Sequence, residues 1–375
     1  VKKNIYGHVF ISVVKMFNTD KFSEITLEVE LTTFCNLFCP GCKRYRYENN
    51  TLHKNNNVIY NQYLDPDIFK YNLFEGANSL LWKQIDFIGT YGDPLGHKGI
   101  LDICEAMVSS RNKHIKFFFH TNGTLGNETV WKELAKFCNT EDRYITFSVD
   151  DLGEDNSKYR IGQTWELIER NMHTFISNGG WAEWKMVIFK HNKHKVQEIK
   201  DYSKKIGCKI FRSVLDYNKS DRAINFLKRP ITLATPLSDN FVTLSKPKNH
   251  NIKCLSLAGS AMYLTVNGDI LPCCMWNASR SESPESGKGK EIYNWLGNDW
   301  NNASKYDIKT ILDNNRYQKD FFDMLENKPL RECYSSCDKT VGSADTLEAI
   351  HDFNNDIIPD HYTQASKYDR ASQTR

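Results

Sequence analysis

The chain has 375 residues, of which 40% are hydrophobic and 25% are charged, and its formal net charge is +3 at neutral pH. This composition is typical of a globular protein with room for one large domain and one smaller domain. So small a net charge, with no long run of one sign, does not indicate binding to nucleic acid or to a membrane surface.

The N-terminal segment and the cysteine content suggest where the protein works. Residues 1–20 lack the basic, apolar and small-residue order of a signal peptide, and no apolar window approaches the length of a membrane span. We therefore expect a cytoplasmic protein. In a reducing compartment, the 11 cysteines are metal ligands, catalytic thiols or core residues more often than disulfides.

In chain order, the first 250 residues alternate short β-rich runs with helical patterns. This alternation predicts repeated βα units around a parallel sheet. Apolar residues recur every three to four positions in residues 164–177, which predicts a helix there, and the polar segment 53–61 predicts a loop. The six predicted strands are residues 25–31, 84–89, 115–121, 144–149, 184–190 and 208–213.

The sequence pattern changes after these βα units. Both periodicities fade and prolines recur between residues 230 and 253, which indicates a linker. Strands at 261–266 and 270–274 then flank Asn267-Gly268, a dipeptide that favours a two-residue hairpin turn because both residues tolerate positive φ. The predicted organisation is a βα-repeat domain at 1–229, a linker at 230–253, a second domain at 254–345 and a tail at 346–375.

Three cysteines follow the first predicted strand with the spacing C-x3-C-x2-C, at Cys35, Cys39 and Cys42. Thiolates hold the irons of a 4Fe-4S cluster, and three of them on one loop leave one iron open to an outside ligand. The alternative is a zinc site, which needs a fourth ligand or an ordered histidine, and His53 is the nearest downstream candidate.

This loop in a βα-repeat chain resembles the radical S-adenosylmethionine (SAM) enzymes. The resemblance implies an α/β fold, a partial (β/α)6 TIM-like barrel, in which the open iron binds SAM and an electron from the cluster releases a 5'-deoxyadenosyl radical. The position before the last cysteine is often aromatic in that family, where it packs near the adenine. Here it is Gly41, and Phe34 or Phe38 is expected to supply that apolar surface.

Segments after the second, third and fourth strands resemble the family's SAM-binding positions. The run around Asp93 is similar to the segment that receives the SAM amino group, although a plain Gly-Asp-Pro turn is the alternative. Arg160 suits the SAM carboxylate because its planar donors can engage both oxygens, and a surface charge is the alternative. The SAM-contacting residues that the resemblance implies are Tyr91, Gly92, Asp93, Asn122, Ser148 and Arg160.

The cysteines beyond the linker resemble the twitch module, the shortened relative of the SPASM domain, which encloses one auxiliary 4Fe-4S cluster. Adjacent residues on a strand point to opposite faces, so only one of Cys273 and Cys274 should be a ligand. We favour Cys273, with Cys274 as the alternate, and zinc remains open for a four-cysteine site. The expected auxiliary ligands are Cys254, Cys273, Cys333 and Cys337.

The resemblance implies a radical SAM oxidoreductase or maturase. Its cofactors would be SAM and two 4Fe-4S clusters, its electron donor a flavodoxin or ferredoxin, and its substrate a peptide or protein that is oxidised or cross-linked. A dehydrogenase or epimerase of a small metabolite is the alternative, and a non-catalytic iron-sulfur electron-transfer protein is the alternative of another class. The other apolar-flanked cysteines, Cys104, Cys138 and Cys208, are expected to pack in the core.

Overall fold

A computed structural model of the chain describes residues 25–48, 51–56, 58–189, 191–216, 261–280, 299–327 and 346–352. It also describes residues 252, 254, 256, 292, 294–297, 329, 330, 333 and 337. The predicted linker lies outside the described residues except for Ile252, as do residues 353–375 of the predicted tail. The predicted domain boundaries therefore remain predictions.

The described strands form one large sheet and one small hairpin. They are β1 (Ile25–Val29), β2 (Tyr45–Glu48), β3 (Thr51–Lys54), β4 (Trp82–Phe87), β5 (Lys116–Thr121), β6 (Arg143–Ser148), β7 (Ala182–Val187), β8 (Ile210–Asp216), β9 (Ala261–Leu264), β10 (Ile270–Leu271) and β11 (Thr346–Asp352). The sheet has nine strands in the order β10-β9-β1-β4-β5-β6-β7-β8-β11. From β1 through β8 the neighbours in this order are all parallel. The six strands predicted from the sequence are thus present, with ends that differ by a few residues.

The described helices flank this sheet. They are α1 (Ile100–Val108), α2 (Glu128–Phe137), α3 (Trp165–Ser177), α4 (Val196–Lys205), α5 (Cys274–Arg280), α6 (Ile308–Leu312) and α7 (Phe321–Asn327). Short 3₁₀ or π helices span Ile68–Leu73, Gly76–Leu81, Pro94–Gly96, Gly153–Lys158, Lys193–Lys195 and Arg316–Asp320. The helix predicted at 164–177 is confirmed as α3. Among the described helices, none is long and apolar enough to cross a membrane.

The main core lies between this helical layer and the sheet. Ile103 of α1, Trp131 of α2 and Phe175 of α3 are fully buried in one cluster with strand residues such as Leu27 and Phe119. Cys104, Cys138 and Cys208 are buried in the same cluster, so all three pack in the core as expected. The α/β fold with a mostly parallel sheet places the carboxyl ends of β1 and β4–β8 along one edge.

Two predicted local structures differ from the observed ones. Residues 53 and 54, predicted as loop, belong to β3, which pairs with β2 in an antiparallel hairpin. The chain is held there because the Asn55 N–H donates to the Arg44 carbonyl at 2.8 Å. The predicted strand 270–274 ends at Leu271, and α5 begins at Cys274, so the two adjacent cysteines do not share a strand.

The β9–β10 hairpin has a longer turn than predicted and joins the nine-stranded sheet. The loop comprises residues 265–269 rather than two residues, because the Thr265 hydroxyl accepts the backbone N–H of Asp269 at 3.1 Å and of Asn267 at 3.3 Å. Gly268 adopts φ +87°, while Asn267 does not have positive φ. β9 pairs in parallel with β1, so the hairpin extends the sheet that carries the βα units.

Candidate functional site

The N-terminal site residues predicted from the sequence converge at the carboxyl edge of the parallel sheet, where such folds place their functional groups. Cys35 follows β1, Asp93 follows β4, Asn122 follows β5 and Arg160 follows β6. The structure brings the first three together: the Asn122 side-chain amide lies 3.6 Å from the Cys35 sulfur, and its backbone N–H donates to Asp93 Oδ2 at 2.7 Å.

The cysteine loop is held from both of its sides. The Arg44 guanidinium donates to the Cys35 carbonyl at 2.8 Å, and the Phe38 N–H donates to the Ile161 carbonyl at 2.9 Å. The first bond closes the loop on itself, and the second ties it to the segment after β6. Because of these contacts the three thiols are presented by a folded turn.

The thiols of this loop are buried and share a neighbourhood. Burial raises the pKa of Cys35 to about 11 and that of Cys39 to about 12, and it raises the pKa of Cys42 as well. The positive charge of Arg160 acts on the Cys39 pKa in the opposite direction. A group that supplies positive charge, such as iron, is needed to hold these buried sulfurs as thiolates.

The number of thiols on this loop bears on the kind of metal centre. Three cysteines on one loop are the ligand set of a 4Fe-4S cluster that keeps one iron open to an outside ligand. A structural zinc site takes four protein ligands. The three-thiol donor set therefore fits a cluster with an open iron.

Asp93 is an interior carboxylate with protein donors already on both oxygens. Its side chain is buried, and Oδ1 accepts the Leu95 N–H at 3.0 Å and the Thr121 hydroxyl at 2.9 Å. Oδ2 accepts the Asn122 N–H at 2.7 Å. Burial raises the pKa of Asp93, and these donors oppose that shift. Since a carboxylate has about four acceptor positions, most of its capacity serves to join the turn after β4 to the end of β5.

The turn at residues 89–93 packs directly on the segment after β1. The Asp93 N–H donates to the Phe34 carbonyl at 2.8 Å. A Cβ atom at Gly92 would lie 1.9 Å from the Thr32 carbonyl oxygen, so only glycine fits at this position. Tyr91 is buried, and its N–H donates to Glu30 Oε1 at 2.6 Å.

Arg160 is paired with a carboxylate that the sequence analysis did not select. Its Nε lies 2.8 Å from Asp150 Oδ2, and its Nη2 donates to Oδ1 at 3.3 Å. Asp150 is fixed in turn by the Val187 N–H at 2.8 Å. Among the described residues, nothing accepts a hydrogen bond from Arg160 Nη1, so this nitrogen can serve a ligand. Ser148, the last residue of β6, is half-buried two positions before Asp150.

The aromatic ring beside Gly41 belongs to Tyr159. A Cβ atom at Gly41 would lie 2.6 Å from the Tyr159 hydroxyl oxygen. The Tyr159 ring packs against Phe189 with centroids 4.6 Å apart and the ring planes tilted by 40°, and Cys39 packs against the same pair. Phe38 is 45% exposed. The ring beside Gly41 therefore comes from the segment after β6 and turns its hydroxyl oxygen toward this position. That Phe34 or Phe38 supplies an apolar surface for the adenine stays a prediction.

The sequence analysis also missed two carboxylates on the inner face of β1. Leu27 and Val29 are buried in the core on the helix side, so Glu28 and Glu30 point to the opposite face. Both glutamates are buried. Strands covered on both faces normally read as continuous apolar runs, so the alternation from Leu27 to Glu30 was a signal of a polar interior.

The four predicted auxiliary cysteines all line one small cavity. Cys274 does not line it: its thiol is hydrogen-bonded to Glu28, and burial raises its pKa. The cavity lining consists of Ile252, Cys254, Ser256, Pro272, Cys273, Met275, Trp276, Phe321, Cys333 and Cys337. The structure thus gathers the four preferred ligands and separates the alternate from them.

The walls of this cavity are aromatic and apolar. Trp276 packs edge-on against Phe321 at 5.9 Å and against Trp295 at 5.0 Å. Its indole is hydrogen-bonded to the Cys333 sulfur, whose pKa is raised by burial. Burial also raises the pKa of Cys273 to about 12. Such walls exclude water from the sulfurs.

Comparisons with known proteins agree with this architecture. No curated protein matches the sequence. The fold is similar to Streptococcus suis SuiB bound to S-adenosylmethionine, with 16% identity, coverage of 83% of this chain and 71% of SuiB, and a TM-score of 0.51. It is also similar to SuiB bound to the precursor peptide SuiA, with 16% identity, coverage of 85% and 72%, and a TM-score of 0.50.

The sequence itself matches a family model over the segment that carries the N-terminal site. Residues 29–205 match the Radical SAM superfamily. This segment runs from the last residue of β1 to the last residue of α4 and contains the cysteine loop and all four strand-end turns described above. Residues 29–205, a little under half of the chain, are therefore the part whose sequence is similar to the radical SAM superfamily.

Proposed function

We propose that the chain is a radical SAM enzyme that cleaves S-adenosylmethionine and abstracts a hydrogen atom from a peptide or protein substrate, with an auxiliary cluster that supports oxidation or cross-linking. One observation carries the proposal: the three-cysteine loop lies at the carboxyl edge of the sheet, inside the segment that matches the superfamily. The donor set there suits a cluster whose ligands come from one loop and leave one iron open.

Each residue of the N-terminal site has a role in this proposal. Cys35, Cys39 and Cys42 would hold the 4Fe-4S cluster, which with SAM supplies a 5'-deoxyadenosyl radical when both are bound. Asn122 orients the Cys35 sulfur through its amide, and Arg160 offers Nη1 to the SAM carboxylate. The residues proposed to contact SAM are Tyr91, Gly92, Asp93, Asn122, Ser148 and Arg160.

The C-terminal cavity is proposed to hold the auxiliary 4Fe-4S cluster. Cys254, Cys273, Cys333 and Cys337 all line it, and Cys274 is excluded by its bond to Glu28. Four cysteines leave no iron open, so such a cluster would pass an electron rather than bind substrate. Removal of an electron after hydrogen abstraction makes the overall change an oxidation or a bond formation.

The peptide substrate is supported by the fold. SuiB, whose fold is similar over most of both chains, has been solved with its precursor peptide. A small polar metabolite is the second candidate, and the inner-face carboxylates favour it, because Glu28, Glu30 and Asp86 are buried polar groups on that face of the sheet. Reducing electrons are proposed to come from a flavodoxin or ferredoxin.

The decisive experiment is anaerobic reconstitution, reduction with dithionite and incubation with SAM. We expect 5'-deoxyadenosine in the wild type and none in Cys39→Ala, measured by mass spectrometry. Mössbauer spectra should show two clusters per chain. SAM that stays intact beside two reduced clusters would instead identify an electron-transfer protein.

The same assay can identify the substrate class. The enzyme is incubated separately with the peptide fraction and with the small-molecule fraction of cells grown in heavy water. A hydrogen taken from the substrate appears as deuterium in 5'-deoxyadenosine. Deuterium from the peptide fraction supports the first candidate, and deuterium only from the small molecules supports the second.

A further inference from the structure

A buried carboxylate links the turn after β4 to the C-terminal hairpin. Glu30 is 1% exposed, and its Oε1 accepts the Tyr91 N–H at 2.6 Å. Its Oε2 accepts the Asn277 amide of α5 at 2.8 Å and the Tyr263 hydroxyl of β9 at 3.1 Å. Each partner comes from a different element, and two of them lie more than 200 positions away in the chain.

The Tyr263 hydroxyl makes a second connection to the same turn. It lies 2.9 Å from the Thr90 hydroxyl and accepts the Asn277 amide at 3.1 Å. A phenol has one proton, and Tyr263 donates it to Glu30 Oε2, so Thr90 is then the donor in its bond with Tyr263. Residues 90 and 91 are therefore tied to the hairpin by two independent contacts.

The other ends of Tyr263 and α5 reach the cysteine cavity. The Tyr263 ring is fully buried in a cluster that contains Trp276 and Cys333, with Cys254 and Cys273 packed against it. Asn277 directly follows Trp276, whose indole bonds Cys333. The groups around Glu30 thus touch the turn of residues 89–93 on one side and the cavity wall on the other.

We infer that Glu30 is a positioning residue that couples ligand binding at the turn of residues 89–93 to the cavity lined by the C-terminal cysteines. This inference rests on the proposed function, because the ligand at the turn is taken to be SAM. The coupling acts through two hydrogen bonds of Tyr263 and one of Asn277, so the cavity wall responds when the turn is fixed by SAM.

The chemistry of Glu30 explains why a carboxylate is needed at this position. Its oxygens accept three N–H or O–H donors and offer none in return. Glutamine has nearly the same shape but would direct its own N–H groups at one of these donors, and a buried donor without an acceptor is costly. Tyr263→Phe is milder, because it keeps the buried ring and removes only the hydroxyl.

The test is amide hydrogen exchange of the reconstituted, oxidised full chain with and without SAM, so that SAM binds without being cleaved. The variants are Tyr263→Phe and Glu30→Gln. Tyr317→Phe is the matched control, because Tyr317 is also a fully buried tyrosine at this hairpin, but its hydroxyl donates to the Ile270 carbonyl, whereas that of Tyr263 donates to Glu30.

In the wild type and in Tyr317→Phe, we expect SAM to slow exchange both at residues 89–93 and, by roughly fivefold, at residues 261–280. In Tyr263→Phe and Glu30→Gln, the slowing at 261–280 should disappear. Glu30→Gln should also weaken SAM binding about tenfold in calorimetric titration. A purely structural role would lower the melting temperature of Tyr263→Phe and Tyr317→Phe alike and leave the response to SAM intact.

Failure of this inference is distinct from failure of the proposed function. Protection at 89–93 without protection at 261–280 in a wild type that forms 5'-deoxyadenosine would overturn the coupling alone. A Tyr263→Phe variant that responds like the wild type would do the same. A wild type that binds no SAM and forms no 5'-deoxyadenosine would overturn the proposed function and the coupling with it.

Discussion

In the N-terminal cysteine region, a loop at the carboxyl edge of the sheet is surrounded by polar side chains such as Asn122, Arg44 and Arg160, whereas the C-terminal cysteines line a cavity walled by Trp276 and Phe321. Polar groups beside the first set can orient an external ligand. An apolar wall offers a ligand nothing to bond and suits a group held by protein sulfurs alone. The surroundings, more than the cysteines themselves, support the proposal that the first region is reactive and the second transfers electrons.

The largest expected effect comes from removing one ligand in each region. Cys39→Ala should abolish the formation of 5'-deoxyadenosine. Cys333→Ala should still form 5'-deoxyadenosine, but its iron content should fall by the four irons of one cluster per chain. Cys104→Ala, in the main core, is the control that should keep both clusters. Product and iron are measured on the same preparations. SAM cleavage that survives Cys39→Ala and fails in Cys333→Ala would reverse the assignment of the two regions.

Within the C-terminal region, the adjacent cysteines form a matched pair. Cys273 lines the cavity and Cys274 is bonded to Glu28 outside it. We expect Cys273→Ala to reconstitute with one cluster fewer and Cys274→Ala to reconstitute like the wild type. Iron content and Mössbauer spectra give the readout. Equal iron loss in both variants would show that the lining of the cavity does not define the ligands.

The backbone of the N-terminal region is tested at Gly92. A methyl group there would meet the Thr32 carbonyl oxygen at 1.9 Å, so Gly92→Ala must displace the turn from β1. We expect a loss of about 3 kcal/mol in stability and of SAM binding, since overpacking forces backbone shifts. Gly99→Ala is the control, because its nearest contacts would be 3.3 Å away. Thermal melting and SAM titration are the measurements. Equal melting temperatures and equal SAM affinities in Gly92→Ala and Gly99→Ala would contradict the prediction.

Glu30 lies between the two cysteine regions, and its titration should make the free energy of unfolding depend on pH. Burial raises its pKa from 4.5 to about 7, against the effect of the Tyr91 N–H. The stability that the protonated form provides is full below pH 4.5, is lost as the pH rises to about 7, and changes no further above that. The shift corresponds to about 3 kcal/mol.

Melting temperatures from pH 4.5 to 8 check this expectation. The fall across the window should be smaller in Glu30→Gln than in the wild type, and Glu154→Gln, which removes an exposed carboxylate, should fall like the wild type. Equal slopes in all three proteins would mean that Glu30 does not titrate in this window.

Local patterns predicted the parts of the fold that depend on local interactions. The βα alternation predicted the parallel strands and α3, and the spacing of Cys35, Cys39 and Cys42 located the N-terminal site. The parallel pairing of β9 with β1 could not be predicted in this way, because it joins residues far apart in the chain. The longer hairpin loop depends on the Thr265 hydroxyl, which competes with the preference of Asn267-Gly268 for a two-residue turn.

In the candidate site, too, contacts between distant parts of the chain could not be predicted from local patterns. Asp93 was chosen from its own segment, but its partners Thr121 and Asn122 belong to another strand end and occupy most of its acceptor positions. Asp150 and Glu30 were missed for the same reason, since their importance lies in contacts with distant elements. Only the alternation of glutamates in β1 was visible locally, as an exception to the apolar pattern of a covered strand.

The smallest expected effect concerns Gly41, where the N-terminal region uses Tyr159 from another loop. Gly41→Ala places a methyl group 2.6 Å from the Tyr159 hydroxyl oxygen, while the next ring atom is 3.6 Å away. We expect Gly41→Ala to destabilise the protein by about 1 kcal/mol and Tyr159→Phe to be nearly neutral. The double variant should recover most of the loss, because removing the hydroxyl leaves an ordinary contact. Denaturation of the four proteins completes the double-mutant cycle, and a strictly additive result would mean that Tyr159 does not pack over Gly41.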